Sequence, residues 1–305
     1  MKVRGEGGGA WVVGVVFLWV CAATAAVAAP LKLVDDAGRA VVMNLPAARI
    51  VALSPHVTEL VFAAGAGNQL VGVSSFSDYP AAAKHIPHVG DGGKADAERL
   101  LVLKPDLIIG WHSGNSAADI ATLERLGIPV FLTEPRRLED IPRLLEIIGK
   151  LAGTEQVATQ SAEDFRAGVA ELKRRYAGRR SVRVFYEIWH EPLMTVNGEH
   201  LISAVLGLCG GRNVFAGVSN LTPAVAVESV LAEDPEAIIA SGALYADRGP
   251  LAGWQRYPRL AAVRRGHVFF IHPDLIQRQT PRILQGARQI CEQIEQVRKT
   301  ATRKN

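Results

Sequence analysis

Aromatic and polar side chains cluster in four segments of the chain, each just after a predicted strand. The segments are 74–80, 111–115, 187–192 and 272–278, and three of them carry aromatic rings although aromatic residues make up only 6% of the chain. Loops at the carboxyl ends of parallel strands commonly hold ligands, and aromatic faces in a cleft suit a large, flat, partly apolar molecule. Phe76, Trp111 and Trp189 are therefore candidate contacts for such a ligand.

The eight histidines raise the question of a metal site. None of them forms an H-x-x-x-H or H-E-x-x-H spacing, and no Cys-x-x-Cys occurs. His112, His190 and His272 fall at equivalent predicted strand ends, so a three-histidine site across a cleft is one interpretation. Polar walls of a binding cleft explain them more simply, and we assign no metal site. His112 or His190 could still coordinate a metal carried by the ligand.

Motifs for covalent or nucleotide chemistry are missing. No G-x-S-x-G elbow, G-x-G-x-x-G turn or G-x-x-x-x-G-K-[ST] loop occurs in the sequence. Ser54-Pro55-His56 has the order of a helix start rather than that of a nucleophile. We expect no catalytic residues and no enzyme activity. A secreted hydrolase that uses a cleft histidine is the remote alternative from another functional class.

The N-terminus has the order of a secretory signal. Lys2 and Arg4 precede an apolar run over 10–20, and small residues continue to Ala28. We expect residues 1–28 to be a signal peptide cleaved after Ala28, so that the mature protein is exported. A retained membrane anchor is the alternative. Lipoprotein anchoring at Cys21 is disfavoured, because Val20 rather than a small residue precedes it.

Export also bears on the two remaining cysteines, Cys209 and Cys291. Two cysteines in an oxidising compartment favour a disulfide over two buried thiols.

The formal net charge of +4 is spread over 305 residues, and no long basic run occurs outside the C-terminal tail. Nucleic acid is therefore not indicated as a partner.

Predicted strands and helices alternate along most of the chain, which indicates an α/β fold with parallel, doubly wound sheets. One segment differs: 154–176 contains no proline and one glycine, and its apolar residues follow a helical period. We expect this long helix to join two lobes. The predicted divisions are an N-terminal α/β lobe at 29–153, a linking helix at 154–178 and a C-terminal α/β lobe at 179–305.

A repeated pattern supports two similar lobes. Glu98 opens a stretch that continues as Glu-Arg-Leu-Leu and, after three residues, Pro-Asp-Leu-Ile-Ile. Glu228 opens its counterpart, with Glu-Ser-Val-Leu and then Pro-Glu-Ala-Ile-Ile. The copies lie 130 residues apart, beyond the roughly 20–50-residue period of solenoid repeats. Each lobe should therefore expose a glutamate at the same structural place.

Several of these segments together resemble the periplasmic binding proteins that serve importers of cobalamin, haem and siderophores. The resemblance is strongest to the cobalamin binders and covers nearly all of the mature chain. The signature that ends at Tyr79-Pro80 and the Cys209-Gly210-Gly211 block are its most specific parts. The segments that carry it are 49–55, 58–60, 72–80, 103–107, 209–215 and 281–283.

The resemblance implies a fold and a function. It implies two Rossmann-like lobes bridged by one helix, with the ligand in the cleft between them. The implied function is capture of cobalamin (vitamin B12), or a related corrinoid, and delivery to an ATP-driven (ABC) importer. Cobalamin would be the transported ligand and not a cofactor, and we expect a monomer. Haem or ferric-siderophore binding is the alternative within the same family.

The resemblance also implies roles for individual residues. Phe76 stands where the family places a tyrosine against the ligand, and Trp111 matches a cleft tryptophan. The implied pairing of the cysteines is Cys209 with Cys291. The loop that contacts the corrin side chains corresponds to Asp274, Leu275, Ile276, Gln277 and Arg278, of which the first and last are retained.

Glu98 and Glu228 match the carboxylates that dock onto arginines of the importer's two-fold membrane subunits, one in each lobe. The chain also departs from the family in two places. The tryptophan expected near Thr222 is absent, and Trp189-His190 has no clear counterpart. Loss of one aromatic wall and gain of another leave the identity of the ligand open between a corrinoid and haem.

Overall fold

A computed structural model describes residues 30–43, 46–91, 94–242 and 251–302. The predicted signal peptide 1–28, with Cys21, lies outside these residues. The strands are β1 (Leu31–Val34), β2 (Ala40–Met43), β3 (Ile50–Ala52), β4 (Leu70–Val73), β5 (Gly90–Asp91), β6 (Lys94–Ala95), β7 (Leu107–Trp111), β8 (Val130–Thr133), β9 (Val182–Glu187), β10 (Gly211–Asn213), β11 (Ala237–Ala240) and β12 (Val268–Phe270). The helices are α1 (Pro55–Ala63), α2 (Ala97–Leu103), α3 (Ala117–Arg125), α4 (Asp140–Ala152), α5 (Glu155–Tyr176), α6 (Leu201–Leu208), α7 (Val227–Glu233), α8 (Leu251–Trp254), α9 (Ala261–Arg264) and α10 (Ile283–Thr302).

Two four-stranded parallel sheets form the centres of two lobes. Their strand orders are β4-β3-β7-β8 and β10-β9-β11-β12, so both have the order 2-1-3-4 along their own part of the chain. Helices lie between successive strands, as parallel connections require. The predicted α/β fold with two similar lobes is confirmed.

The repeated sequence pattern is a repeated structural unit. Helices α2 and α7 are both seven residues long, and each ends at a residue in the left-handed region, Lys104 at φ 45° and Asp234 at φ 36°. Leu100 and Val230, which occupy equivalent positions, are fully buried. Each helix then leads into a strand of its lobe's sheet, β7 or β11.

The acid after each repeated proline has a structural role that the sequence analysis did not assign. The Asp106 carboxylate accepts the backbone N–H of Arg49 at 2.8 Å, and the Glu236 carboxylate accepts that of Arg183 at 3.0 Å. The Arg49 side chain in turn donates to the Leu103 carbonyl at the end of α2, and the Arg183 side chain donates to the Glu233 carbonyl at the end of α7. In each lobe these contacts therefore link the start of one strand, β3 or β9, to the helix that precedes the neighbouring strand, β7 or β11.

The long helix predicted at 154–176 is α5, which covers Glu155–Tyr176. It packs closely on both sides. A Cβ added to Gly149 of α4 would lie 2.4 Å from the Cβ of Ala158, and one added to Gly168 would lie 2.7 Å from Cδ1 of Leu284 in α10. One buried apolar cluster runs from the first sheet through Phe165 of α5 into the second sheet. The helix is thus held by both lobes.

The disulfide between Cys209 and Cys291 is present, with an S–S distance of 2.03 Å. It joins the end of α6 to α10, and both cysteines are fully buried. The prediction of this pair is confirmed. Within the described ranges, no helix combines the length and apolar character needed to cross a membrane.

Candidate functional site

The four ligand-candidate loops follow β4, β7, β9 and β12, two strands from each lobe. Arg278, in the last of these loops, reaches across to the N-terminal lobe. Its Nη1 lies 2.9 Å from Oε1 of Glu59 in α1 and 2.8 Å from Oδ1 of Asp78, and its Nη2 donates to the carbonyl of Phe76 at 3.3 Å. The structure therefore brings the loops 74–80 and 272–278 together where the lobes meet.

Arg278 is surrounded by acidic groups. Besides Glu59 and Asp78, Oδ1 of Asp274 lies 3.1 Å from its Nη2. Burial works against the charge of Arg278, but hydrogen bonds to Asp78 and Glu59 outweigh it and raise the pKa of the guanidinium. Burial likewise works against the charge of Asp78, and the bond from Arg278 keeps the pKa of that carboxyl below its usual value. Both groups stay ionised near neutral pH.

Glu59 is a residue of this cleft that the sequence analysis did not assign. Its side chain is 2% exposed, and it accepts hydrogen bonds from Arg278 at 2.9 Å, from Thr280 Oγ1 at 2.8 Å and from Arg282 at 3.3 Å. Burial raises the pKa of Glu59, and these hydrogen bonds counteract that rise. The available signal was an acid on the buried face of α1, beside Leu60, where a charge needs a partner.

Phe76 lies in the loop 74–80 at the boundary between the lobes, and its side chain is exposed. The residue is 76% exposed and has φ 64°, in the left-handed region that side chains rarely adopt. Such a conformation costs about 1–3 kcal/mol and persists where the surrounding structure enforces it, often at functional sites. Here the Phe76 carbonyl is fixed by Arg278. Nearby, the guanidinium of Arg282 lies 3.9 Å from the centre of the Tyr79 ring.

Trp111 is half-buried and closely held. A Cβ added to Gly114 would lie 1.9 Å from Cε3 of Trp111, so only glycine allows the ring its place. The His56 ring meets the Trp111 ring edge-on, with centroids 5.2 Å apart. Burial, with a smaller contribution from the charge of Arg278, lowers the pKa of His56 to about 3. His56 is therefore a neutral wall behind Trp111.

Trp189 lies in the loop after β9 and is 42% exposed. Its indole N–H donates to the carbonyl of Glu191 at 2.9 Å. Behind it, the fully buried Glu187 carboxylate accepts the Trp254 indole N–H at 2.7 Å and lies 2.9 Å from Nδ1 of His190. The loop after β9 thus combines an exposed ring with a partly exposed histidine that is paired with a buried carboxylate.

The middle of the loop 274–278 is anchored to its own lobe. Nε2 of Gln277 donates to the Ser241 carbonyl at 2.6 Å and to the Ser241 hydroxyl at 2.9 Å. Ile276 is 1% exposed and packs in the core, so its side chain shapes the loop from below. Asp274, Leu275 and Gln277 are partly exposed.

His112 is exposed, and its backbone N–H donates to the Thr133 carbonyl at 3.0 Å. In the part of the chain that the structure describes, no group of three His, Cys, Asp or Glu side chains could hold a metal ion. The three-histidine site considered above does not form there.

Glu98 and Glu228 are exposed in the first turns of α2 and α7. They occupy the same position in the repeated unit, one in each lobe. Leu101 and Val102, next to Glu98, are exposed apolar residues of α2. Leu231 of α7 is partly exposed as well.

Comparison with known proteins identifies the family. A family model described as periplasmic binding protein matches residues 50–275. The vitamin B12-binding protein of Vibrio parahaemolyticus is 36% identical over 256 residues, which cover 84% of this chain and 92% of that protein. The vitamin B12-binding protein of Yersinia pestis is 38% identical over 258 residues, which cover 84% and 90%.

Solved structures agree with this result. The periplasmic vitamin B12-binding protein of Vibrio cholerae has a TM-score of 0.76 at 35% identity, covering 83% of this chain and 99% of that one. A periplasmic heme-binding protein from Roseiflexus has a TM-score of 0.73 at 22% identity, covering 82% and 98%, which shows a shared fold alone. By sequence and by fold, this chain belongs to the periplasmic binding protein family, and it is similar to vitamin B12-binding members of that family.

Proposed function

We propose that this chain is a periplasmic solute-binding protein that captures cobalamin, or a related corrinoid, and delivers it to an ABC importer. The observation that carries the proposal is Phe76, an exposed ring held in a strained backbone conformation where the two lobes meet. A flat apolar macrocycle would cover such a ring and remove its exposed apolar surface from water. The relatives of 36–38% identity are named for vitamin B12 binding.

The cleft offers groups suited to the two chemical parts of a corrinoid. Phe76, Trp111 and Trp189 provide apolar faces from both lobes for the macrocycle. Asp274 can accept hydrogen bonds from amide N–H groups at the rim of the ligand. The two Nη groups of Arg278 are already bound to three carboxylates and to the Phe76 carbonyl, so Arg278 serves first to orient Asp274. Its Nε–H is the group proposed to donate to amide carbonyls.

Glu98 and Glu228 are the proposed contacts with the importer. Both are exposed at the start of short helices, at equivalent places of the two lobes. Two carboxylates related in this way suit arginines of a two-fold membrane partner, because both halves of the partner can then be engaged at once. The protein would act as a monomer, and the docked cleft would open over the translocation path.

The proposed activity is binding without turnover. The described residues contain a serine–histidine contact, with Ser54 Oγ 3.1 Å from Nδ1 of His56. Both side chains are buried, and the pKa of His56 is lowered to about 3 by burial. A base with so low a pKa is poorly matched to proton abstraction near neutral pH, and the pair is not open to a substrate. The hydrolase alternative therefore has little support.

Haem remains the second candidate ligand, since heme-binding proteins share the fold at 20–24% identity. Visible spectroscopy of the purified mature protein separates the candidates. Cyanocobalamin, cobinamide and haemin are added in turn, and the bound ligand is quantified after gel filtration. We expect both corrinoids to co-elute at a ratio of one per protein. Retention of haemin alone would refute the assignment.

A further inference from the structure

Glu59 belongs to one lobe, and the side chains that hydrogen-bond to it belong to the other. Arg278, Thr280 and Arg282 donate to it at 2.9, 2.8 and 3.3 Å, from positions 219, 221 and 223 residues further along the chain. The carboxylate is almost completely buried, so the hydrogen bonds from these partners must compensate for the water that it loses on burial. Glu59 is thus a buried acid whose pairing exists only when the lobes lie at this separation.

The same C-terminal segment contacts two further residues of the N-terminal lobe, both in the loop 74–80. Arg278 lies 2.8 Å from the Asp78 carboxylate, and Arg282 stacks over the Tyr79 ring. Asp274 completes the cluster from the C-terminal side, 3.1 Å from Arg278. The Arg278 guanidinium, which forms part of the polar edge of the proposed ligand site, is therefore also the group that the buried Glu59 carboxylate holds in place.

We propose that Glu59 is a positioning residue for the binding cleft, which sets the separation of the lobes and holds the 274–278 edge opposite the Phe76 ring. It makes no contact with the ligand itself. A rigid macrocycle gains full contact with both walls only if their spacing is fixed beforehand, because ordering the walls on binding costs affinity. The inference rests on the proposed function only for its ligand readout, since the lobe separation can be measured without ligand.

A merely structural role for Glu59 makes a different prediction. Loss of a buried ion pair that only supports folding would lower the free energy of unfolding and leave the folded geometry unchanged. Buried ion pairs often contribute little net stability, and some fix a particular arrangement instead. The distinguishing quantity is therefore the distance between the lobes in the folded protein.

The test uses the mature full chain with one spin label in each lobe. Labels are attached to cysteines introduced at two exposed positions, Leu126 at the end of α3 and Glu292 on α10, while the native cysteines stay in their disulfide. Double electron–electron resonance then gives the interlobe distance distribution. Glu59→Gln keeps the size of the side chain and removes its charge. Asp36→Asn is the matched control, because it breaks an ion pair with Arg143 at 2.8 Å that lies within the N-terminal lobe.

We expect Glu59→Gln to broaden the distance distribution or to move its maximum by more than about 2 Å, a size typical of loop or domain rearrangement. Cyanocobalamin affinity should fall by about tenfold or more, as for other buried charge pairs that lose one partner. Asp36→Asn should change neither quantity. Thr280→Val, which removes one donor and no charge, should give a smaller shift in the same direction, and it serves as the test if Glu59→Gln does not fold.

An unchanged distance distribution in folded Glu59→Gln or Thr280→Val overturns the inference, whatever happens to affinity. A changed distribution with no corrinoid binding by the unmutated protein supports the positioning role and refutes the proposed function instead. The two failures are therefore distinguishable in one set of samples.

Discussion

Replacement of Phe76 by glycine should separate ligand affinity from stability. In the folded chain Phe76 has φ 64°, a conformation that glycine adopts without steric cost. Relief of that strain offsets the extra backbone freedom of glycine in the unfolded chain, which is worth about 0.5–1 kcal/mol. Phe76 is 76% exposed, so removal of its ring leaves almost no cavity. We expect the free energy of unfolding to stay within about 1 kcal/mol of the unmutated value.

The effect on affinity follows from the exposed area of the ring. An aromatic side chain offers about 200 Å² to burial, and the 76% exposed fraction leaves about 150 Å² for a ligand to cover. A flat macrocycle covers one face, or about 75 Å². At about 25 cal/mol per Å², this contributes about 2 kcal/mol, which corresponds to a roughly 25-fold weaker Kd in Phe76→Gly.

Isothermal titration with cyanocobalamin measures the affinity, and urea unfolding measures the stability of the same preparation. Phe76→Tyr retains an aromatic ring, and its Kd for cyanocobalamin should lie within about threefold of that of the unmutated protein. Leu126→Ala removes an exposed apolar side chain on α3 and should affect neither measurement. If Phe76→Gly binds cyanocobalamin as tightly as the unmutated protein, the ring does not face the ligand and the placement of the cleft is wrong.

Three further predictions follow from other parts of the molecule. The 82-residue separation of Cys209 and Cys291 implies that replacing both by alanine lowers the free energy of unfolding by about 4 kcal/mol in the chain-entropy model, as urea unfolding of both forms would show. Burial lowers the pKa of His56 to about 3, so the unfolded chain binds a proton that the folded chain does not as pH falls below about 6.5. This stabilisation, complete above pH 6.5, should decrease by about 2–3 kcal/mol by pH 4.5, and His56→Gln should show a shallower pH dependence; an equal slope would contradict it. Charge reversal of both Glu98 and Glu228 to arginine should abolish uptake by cells and leave the Kd of the purified protein unchanged, and a lost affinity would refute the docking role.

The fold was largely predictable because its signals are local. Short β-branched runs, proline at the start of α1 and the uninterrupted period of α5 each specify an element from neighbouring residues alone. The ends of helices were less predictable. The C-terminal helix α10, for example, begins only at Ile283, because Thr280 and Arg282 just before it bind Glu59 of the other lobe.

The site was only partly predictable, because its polar contacts join residues far apart in the sequence. The aromatic candidates could be identified from the sequence because they follow predicted strands. Glu59 was not assigned, because a buried acid on an apolar helix face indicates that a partner exists but does not identify it, and its partners lie more than 200 residues away. The same applies to Asp106 and Glu236, which look like ordinary surface acids but bind backbone N–H groups of a neighbouring strand.

The packing of α5 against both lobes has a kinetic consequence. Because one apolar cluster continues through this helix from sheet to sheet, a wide opening of the cleft must separate packed side chains and cannot occur by rotation of a flexible linker. A ligand that enters at the lobe separation of this structure therefore needs no prior opening step, so the observed association rate should rise linearly with ligand concentration and show no plateau.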